Sequence, residues 1–270
     1  MFISTSVFSG LKWANKSPKE SAHSEGQGGH SHHHHTNHLA DSNFSASFSF
    51  PGGTVKENEN VLLNIHIFDS NGNLVKHFKM GHDKLMHLIV VSKDLSYFNH
   101  IHPDFDGEGN FTVDILFPFG GEYKVIADFV PEAGSSTSIS HWVKVEGEVN
   151  IHETVQADKR LMKVVEGKEV ELTLSSLNAE EEVTLTFNLT DAKTKEKISN
   201  LEPYMGTVGH VVILSKDAET YLHVHPTNEN GTGPEAIFMT SFPKSGLYKV
   251  WGQFQHQGSV ITVPFVINIK

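Results

Sequence analysis

The chain contains no cysteine. That excludes disulfide bonds, a thiolate nucleophile and any thiolate metal site. Positive charge is also scarce: 21 Lys and Arg stand against 32 Asp and Glu, giving a formal net charge of -11 with His neutral. This balance argues against nucleic acid and anionic membrane surfaces as partners. Long apolar runs are missing too. No stretch reaches the ~20 apolar residues that a helix needs to span a bilayer. Residues 1–13 are mildly apolar but lack the basic start of an export signal. Two expectations stay open: a true start further upstream, or a cytoplasmic protein.

Histidine, by contrast, is abundant, with 19 in 270 residues. A composition of 38% hydrophobic and 20% charged residues fits a globular protein with a real core. Without Cys, a protein that binds soft metals relies on imidazole and thioether. That choice suits oxidising compartments, where free thiols do not persist. Residues 1–43 read as a disordered N-terminal tail. It holds HSEGQGGHSHHHHTNH, whose longest His run is four. A purification tag is one reading; the interrupted pattern favours a native metal-collecting tail.

Beyond the tail the chain repeats itself. LMHLIVVSKDLSYFNHIHP (85–103) matches VGHVVILSKDAETYLHVHP (208–226) at a constant offset of 123 residues. FPFGGEYKV (117–125) matches FPKSGLYKV (242–250) at an offset of 125. Upstream, VKENENVLLNIHIFD resembles VVEGKEVELTLSSL. The expected domains are 44–147 and 148–270. Both halves consist of short β-branched and aromatic runs separated by turn signals such as Ser70-Asn71-Gly72-Asn73, with no helical period. The fold class expected is therefore all-β: two tandem immunoglobulin-like β-sandwiches. Tyr123 and Tyr248 follow a Phe-Pro and lead into a strand, where such folds place a tyrosine corner.

The repeated segment reads as a hairpin with its turn centred on Lys93-Asp94. That register sets His87 directly opposite His100, on one face, with Cβ atoms ~4.5–5.5 Å apart. His102 follows on the same face ~6.6 Å along. The same construction places His210 opposite His223, with His225 next. Three imidazoles in each half thus converge as a transition-metal ion requires. A single strand His is most often a surface or satisfied core residue; three aligned twice at identical spacing point to ligation. Met205, and in the first half Met80 or His82, are candidates for a fourth ligand or for core filling. His141 and His256 have no counterpart in the other half and read as solvent-facing or supporting residues. Thioether neighbours favour copper, with zinc as the alternative. The absence of carboxylates from the set argues against calcium and magnesium. Asp104-Phe105-Asp106-Gly107-Glu108 lacks calcium-loop spacing and reads as a turn.

Tyr-Met-Gly-x-x-Gly-His, then Tyr-x-His-Val-His-Pro, then Phe-Pro-x-x-Gly-x-Tyr-x-Val, resembles the bacterial FixH/YtkA-like extracytoplasmic domains. The second half carries the pattern from Pro203 to Phe254; the first half carries it from His87 and departs at the Met segment. The resemblance implies an immunoglobulin-like sandwich, heavy-metal and especially copper handling, and a cell-envelope location. The function expected is a copper chaperone, buffer or sensor that exchanges metal ions with a metal-transport or metal-receiving protein, and not an enzyme. A metalloenzyme with an open coordination position and an adhesion or scaffold module are the alternatives.

Overall fold

The computed structural model describes residues 43–150 and 155–270. The His-rich tail and His152 lie outside the described residues. The described residues form one compact unit. Every regular element among the described residues is a strand. The first repeat supplies β1 (Phe44–Ser49), β2 (Asn60–Asp69), β3 (Phe78–Lys79), β4 (Met86–Ser92), β5 (Phe98–Ile101), β6 (Asp104–Phe105), β7 (Asn110–Leu116), β8 (Gly121–Pro131) and β9 (Thr137–Val145). The second supplies β10 (Met162–Val165), β11 (Lys168–Leu174), β12 (Glu182–Asp191), β13 (His210–Ser215), β14 (Tyr221–Pro226), β15 (Glu235–Ser241), β16 (Gly246–His256) and β17 (Ser259–Ile269).

In the first repeat, β1-β2-β7-β6 form one sheet; β3 and β4 lie on one side of β8, β9 on the other, and β5 pairs with β4. The second repeat repeats the plan with β10-β11-β12-β15 and β14-β13-β16-β17, and β14 runs on to pair with β15 through His225 and Pro226. Each pair of sheets encloses its own core. Leu63, Ile65 and Ile67 of β2 meet Leu88, Val90, Val125 and Ala127 in one. Val183, Leu185 and Phe187 meet Val211, Ile213 and Val250 in the other. Strands β2 and β12 bury alternate residues, as half-covered strands do. The tyrosine corners recur: Tyr123 Oη donates to the Phe119 carbonyl and Tyr248 Oη to the Lys244 carbonyl, both at 2.9 Å. The two repeats are tandem β-sandwiches.

The upstream part of the repeat sits one strand away from where the sequence match puts it. NVLLNIHIFD is β2, flanked by β1 and β7; its positional counterpart is β12, flanked by β11 and β15, not β11 itself. Both β11 and β12 alternate apolar residues, so composition does not separate them. The turn after the strand does. Asp69 Oδ1 accepts the N–H groups of Asn71 and Asn73, and Asp191 Oδ1 those of Lys193 and Thr194. These bonds hold both carboxyls below the usual carboxylate range.

Strands β4 and β13 break the alternation. All seven residues of β4 are buried, as are five of six in β13. Their second faces meet each other. Ile89, Val91, Leu95 and Ile126 pack with Val212, Leu214, Ala218 and Trp251 in a third apolar cluster drawn from both repeats. Burying each Val, Leu or Ile side chain of this cluster fully is worth about 1.5–3 kcal/mol. The bonds across this seam are reciprocal. Lys124 Nζ donates to the Ala218 carbonyl at 2.7 Å, and its counterpart Lys249 donates to the Leu95 carbonyl at 2.6 Å. Residue i touching j′ while j touches i′ is the signature of a twofold, isologous contact. The repeats are therefore joined as a homodimer would be, within one chain.

Candidate metal centre

The hairpin turn is shifted from its expected place. Ser92 N–H donates to the Tyr97 carbonyl and Leu95 N–H to the Ser92 carbonyl, so the turn centres on Asp94-Leu95. Leu95 takes the left-handed conformation at φ 58, as does Ala218 in the second repeat. Asp94 Oδ1 accepts the Ser96 N–H at 3.0 Å and stabilises the loop. Consequently Ile89, not His87, pairs with His100, and Val212, not His210, pairs with His223. The slip is two residues. Because strand faces repeat every two residues, it leaves each His on its expected face.

His87, His100 and His102 come together: each offers a ring nitrogen, and the three atoms lie within 4.8 Å of one another. His87 and His100 are buried, at 4% and 9% exposure. Hydrogen bonds outside the cluster set the tautomers. His87 Nε2 is 2.9 Å from the Gly81 carbonyl oxygen, which can only accept, so Nε2 carries the proton. His100 Nδ1 is 2.8 Å from Gln253 Oε1, whose amide nitrogen donates to Thr262 Oγ1, so His100 Nδ1 carries the proton. The remaining nitrogens, His87 Nδ1 and His100 Nε2, then face each other at 3.0 Å with a lone pair each. Two lone pairs at that distance repel unless a proton is shared between them or a metal ion lies against both. His102 Nε2 beside them is buried and has no hydrogen-bond partner. Burial above all lowers the His102 pKa to about 4, so that ring keeps its lone pair at neutral pH. A separation of 3.0 Å is one that a single ion with ~2.0–2.1 Å metal–nitrogen bonds bridges.

One site per sandwich is the sequence expectation; of the second set, the described side chain, His210, lies at the same seam as the first. His87 lies on the face of β4 that carries Ile89 and Val91, and His210 on the face of β13 that carries Val212 and Leu214, and these faces pack together. The His210 ring stacks on His100, with centroids 4.8 Å apart, and on His87 at 5.2 Å and 16°. His210 is thus a neighbour of the first triad. The side chains of His223 and His225 are outside the described residues; their backbones run along β14 beside β13 and β15.

The candidate fourth ligands fall differently from one another. The bridge between Gly81 and Lys84 encloses His82-Asp83, and that between Tyr204 and Thr207 encloses Met205-Gly206. All four turn residues have positive φ, 47, 61, 52 and 74. These are matching two-residue turns at the same 123-residue offset. His82, not Met80, is therefore the counterpart of Met205. Met80 is 64% exposed, whereas the His82 ring lies edge-on to His210 at 5.3 Å and to His87 at 6.1 Å. The two turns approach closely: a Cβ on Gly206 would fall 2.7 Å from Asp83 Oδ2, the movable end of a side chain, and it is the φ of 74 that favours glycine there.

Elsewhere, His141 is exposed and stacks on Phe48 at 5.6 Å, while His256 is buried with Nε2 3.1 Å from Asn200 Oδ1. Asp106 Oδ1 accepts two backbone N–H groups, from Glu108 and Asn110, as a turn residue does. Residues that the sequence reading passed over are Gln253 and Asp128, which occupy the same position in β16 and β8. Gln253 is the β16 neighbour of His210, and Asp128 the β8 neighbour of His87. Asp128 Oδ2 accepts the Tyr221 hydroxyl at 2.7 Å across the seam; with burial, that carboxylate holds the phenol well above its ordinary pKa. The available signal was the pair of uninterrupted apolar runs, LIVV and VVIL, which mark strands covered on both faces.

Fold and site together define a tandem β-sandwich protein with a histidine cluster, suited to holding a metal ion, at the seam between its repeats. The chain belongs to the family described as Domain of unknown function (DUF8832), whose model matches residues 44–147 and 163–270. No curated protein matches it. Solved structures to which it is similar include the Escherichia coli adhesin FdeC, at 14% identity, covering 86% of this chain and 66% of that one, with a TM-score of 0.28. Titin Ig tandem domains A164-A165 match at 11% identity over 83% of this chain and 96% of that one, TM-score 0.21. Domains 4 and 5 of the S-layer protein SbsC match at 13% identity over 83% and 97%, TM-score 0.23. Among the described residues no helix is long and apolar enough to cross a membrane.

Proposed function

We propose that this protein binds a transition-metal ion, copper before zinc, through His87, His100 and His102, and works outside the cytoplasm as a copper chaperone, buffer or sensor rather than as an enzyme. One observation carries the reading. Two ring nitrogens whose partners fix them as lone-pair donors face each other at 3.0 Å, beside a third that is buried without a partner. An all-imidazole set without cysteine supports copper or zinc in an oxidising compartment. The resemblance to extracytoplasmic copper-handling sandwiches points the same way. The tail histidines would collect metal weakly and pass it to the ordered site, from which a receiving protein would draw it.

The test is elemental analysis and copper titration of the full chain with its seven tail histidines changed to serine. Bound copper that disappears in the His100→Ala, His102→Ala double variant is the expected result. A tail-substituted protein that takes up neither copper nor zinc after reconstitution would end the proposal.

A further inference from the structure

We infer that Gln253, in the second repeat, is the positioning residue for the metal site of the first, so that the site is complete only when the two repeats are docked. The inference rests on the metal-binding reading above and adds how that site is controlled.

The connection is a continuous line of hydrogen bonds. Thr262 Oγ1 on β17 accepts from Gln253 Nε2 at 3.1 Å, which orients the amide so that its oxygen points into the seam. Gln253 Oε1 accepts the Nδ1 proton of His100 at 2.8 Å. His100 Nε2 then faces His87 Nδ1 at 3.0 Å, and His87 is held at its far side by the Gly81 carbonyl. Gln253 is 5% exposed. Water therefore does not readily take over its role. A ligating histidine is fixed in tautomer and ring angle by whatever accepts its other N–H. For His87 that acceptor is in its own repeat; for His100 it is in the other one.

Two consequences follow from that placement. Undocking the repeats removes the acceptor that keeps the His100 lone pair on Nε2, and metal affinity drops. By linkage, metal bound at the triad stabilises the docked state by the same factor. Gln253 also stands at the position that Asp128 holds in the first repeat, so a carboxylate is a natural replacement that preserves the acceptor.

The experiment compares the full tail-substituted chain with its Gln253→Leu, Gln253→Glu and Thr262→Val variants. Cu(I) affinity is measured by competition with a chromophoric chelator, and the geometry of the site by the visible spectrum of bound Co(II). Gln253→Leu is expected to lose 10–100-fold in affinity and to shift the Co(II) bands. Gln253→Glu should restore both. Thr262→Val, which frees the amide to turn, should lose several-fold. Circular dichroism of the metal-free proteins identifies a variant that fails to fold; should Gln253→Leu do so, Thr262→Val decides. Wild-type affinity and spectrum in a folded Gln253→Leu, or in Thr262→Val where that variant decides, overturn the inference while leaving the proposed function standing. A parent chain that binds no metal overturns the proposed function itself, and this inference with it.

Discussion

The two repeats share a frame and differ in its lining. Tyrosine corner, hairpin turn, closing Asp and seam lysine recur at fixed offsets with matching bonds. Around the histidines the matched positions diverge: His82 against Met205, Phe98 against Tyr221, Ile126 against Trp251, Asp128 against Gln253. The same seam is therefore held by different forces on its two sides. The side with Trp251 relies on ring stacking, Phe98 and Trp251 lying 4.6 Å apart at 15°. The side with Asp128 relies on a hydroxyl–carboxylate bond. A symmetric scaffold need not be lined alike at matched positions.

Substitutions can sharpen or erase that contrast. Trp251→Ala should destabilise the metal-free protein by about 3–5 kcal/mol and Ile126→Ala by about 2–4 kcal/mol, read from urea unfolding. Equal losses would mean that the stack adds nothing to packing.

Acid is the next lever. The His102 pKa is lowered to about 4 from 6.5. The unfolded chain thus takes up a proton on this ring at a higher pH than the folded one. Stability of the metal-free protein should be unaffected by this group above pH 6.5, fall as pH drops toward 4, and then level off. The full shift corresponds to about 3 kcal/mol; solvent at the partly exposed ring reduces this to about 1–2 kcal/mol. His102→Gln should flatten that part of the pH profile, and an unchanged profile would contradict the assignment.

Lys124→Met and Lys249→Met each leave a turn carbonyl of the opposite repeat without its donor and should cost about 1–3 kcal/mol. The losses should be similar, because Glu219, which pairs with Lys124, has a side chain 61% exposed and adds little. The smallest effect is expected at the paired turns. His82→Asn and Met205→Asn, which place a residue tolerant of positive φ at 47 and 52, should each raise stability by about 0.5–1 kcal/mol in thermal unfolding.

Much of the sandwich was legible in the sequence because period-two burial is written into strands such as β2 and β12. The histidine face survived a wrong turn centre because the error was an even number of residues. What escaped was the meeting of the two halves. Each hairpin was read against its own domain, and the docking partner of the outward face of Ile89 and Val91 lies 123 residues away, where no local rule reaches it. Gln253 escaped for the same reason: it acts on His100 across 153 positions of chain. The match of β2 to β11 failed because two neighbouring strands carry the same alternation.

The reciprocal lysine bonds have a consequence for solitary repeats. A self-complementary patch is satisfied here inside one polypeptide. A single sandwich cut from this chain would carry one half of that patch, with its apolar stripe and an unanswered lysine, and would find its best available mate in another copy of itself. Covalent linkage replaces that search with a partner held permanently at hand, so that assembly no longer depends on how much protein the cell has made.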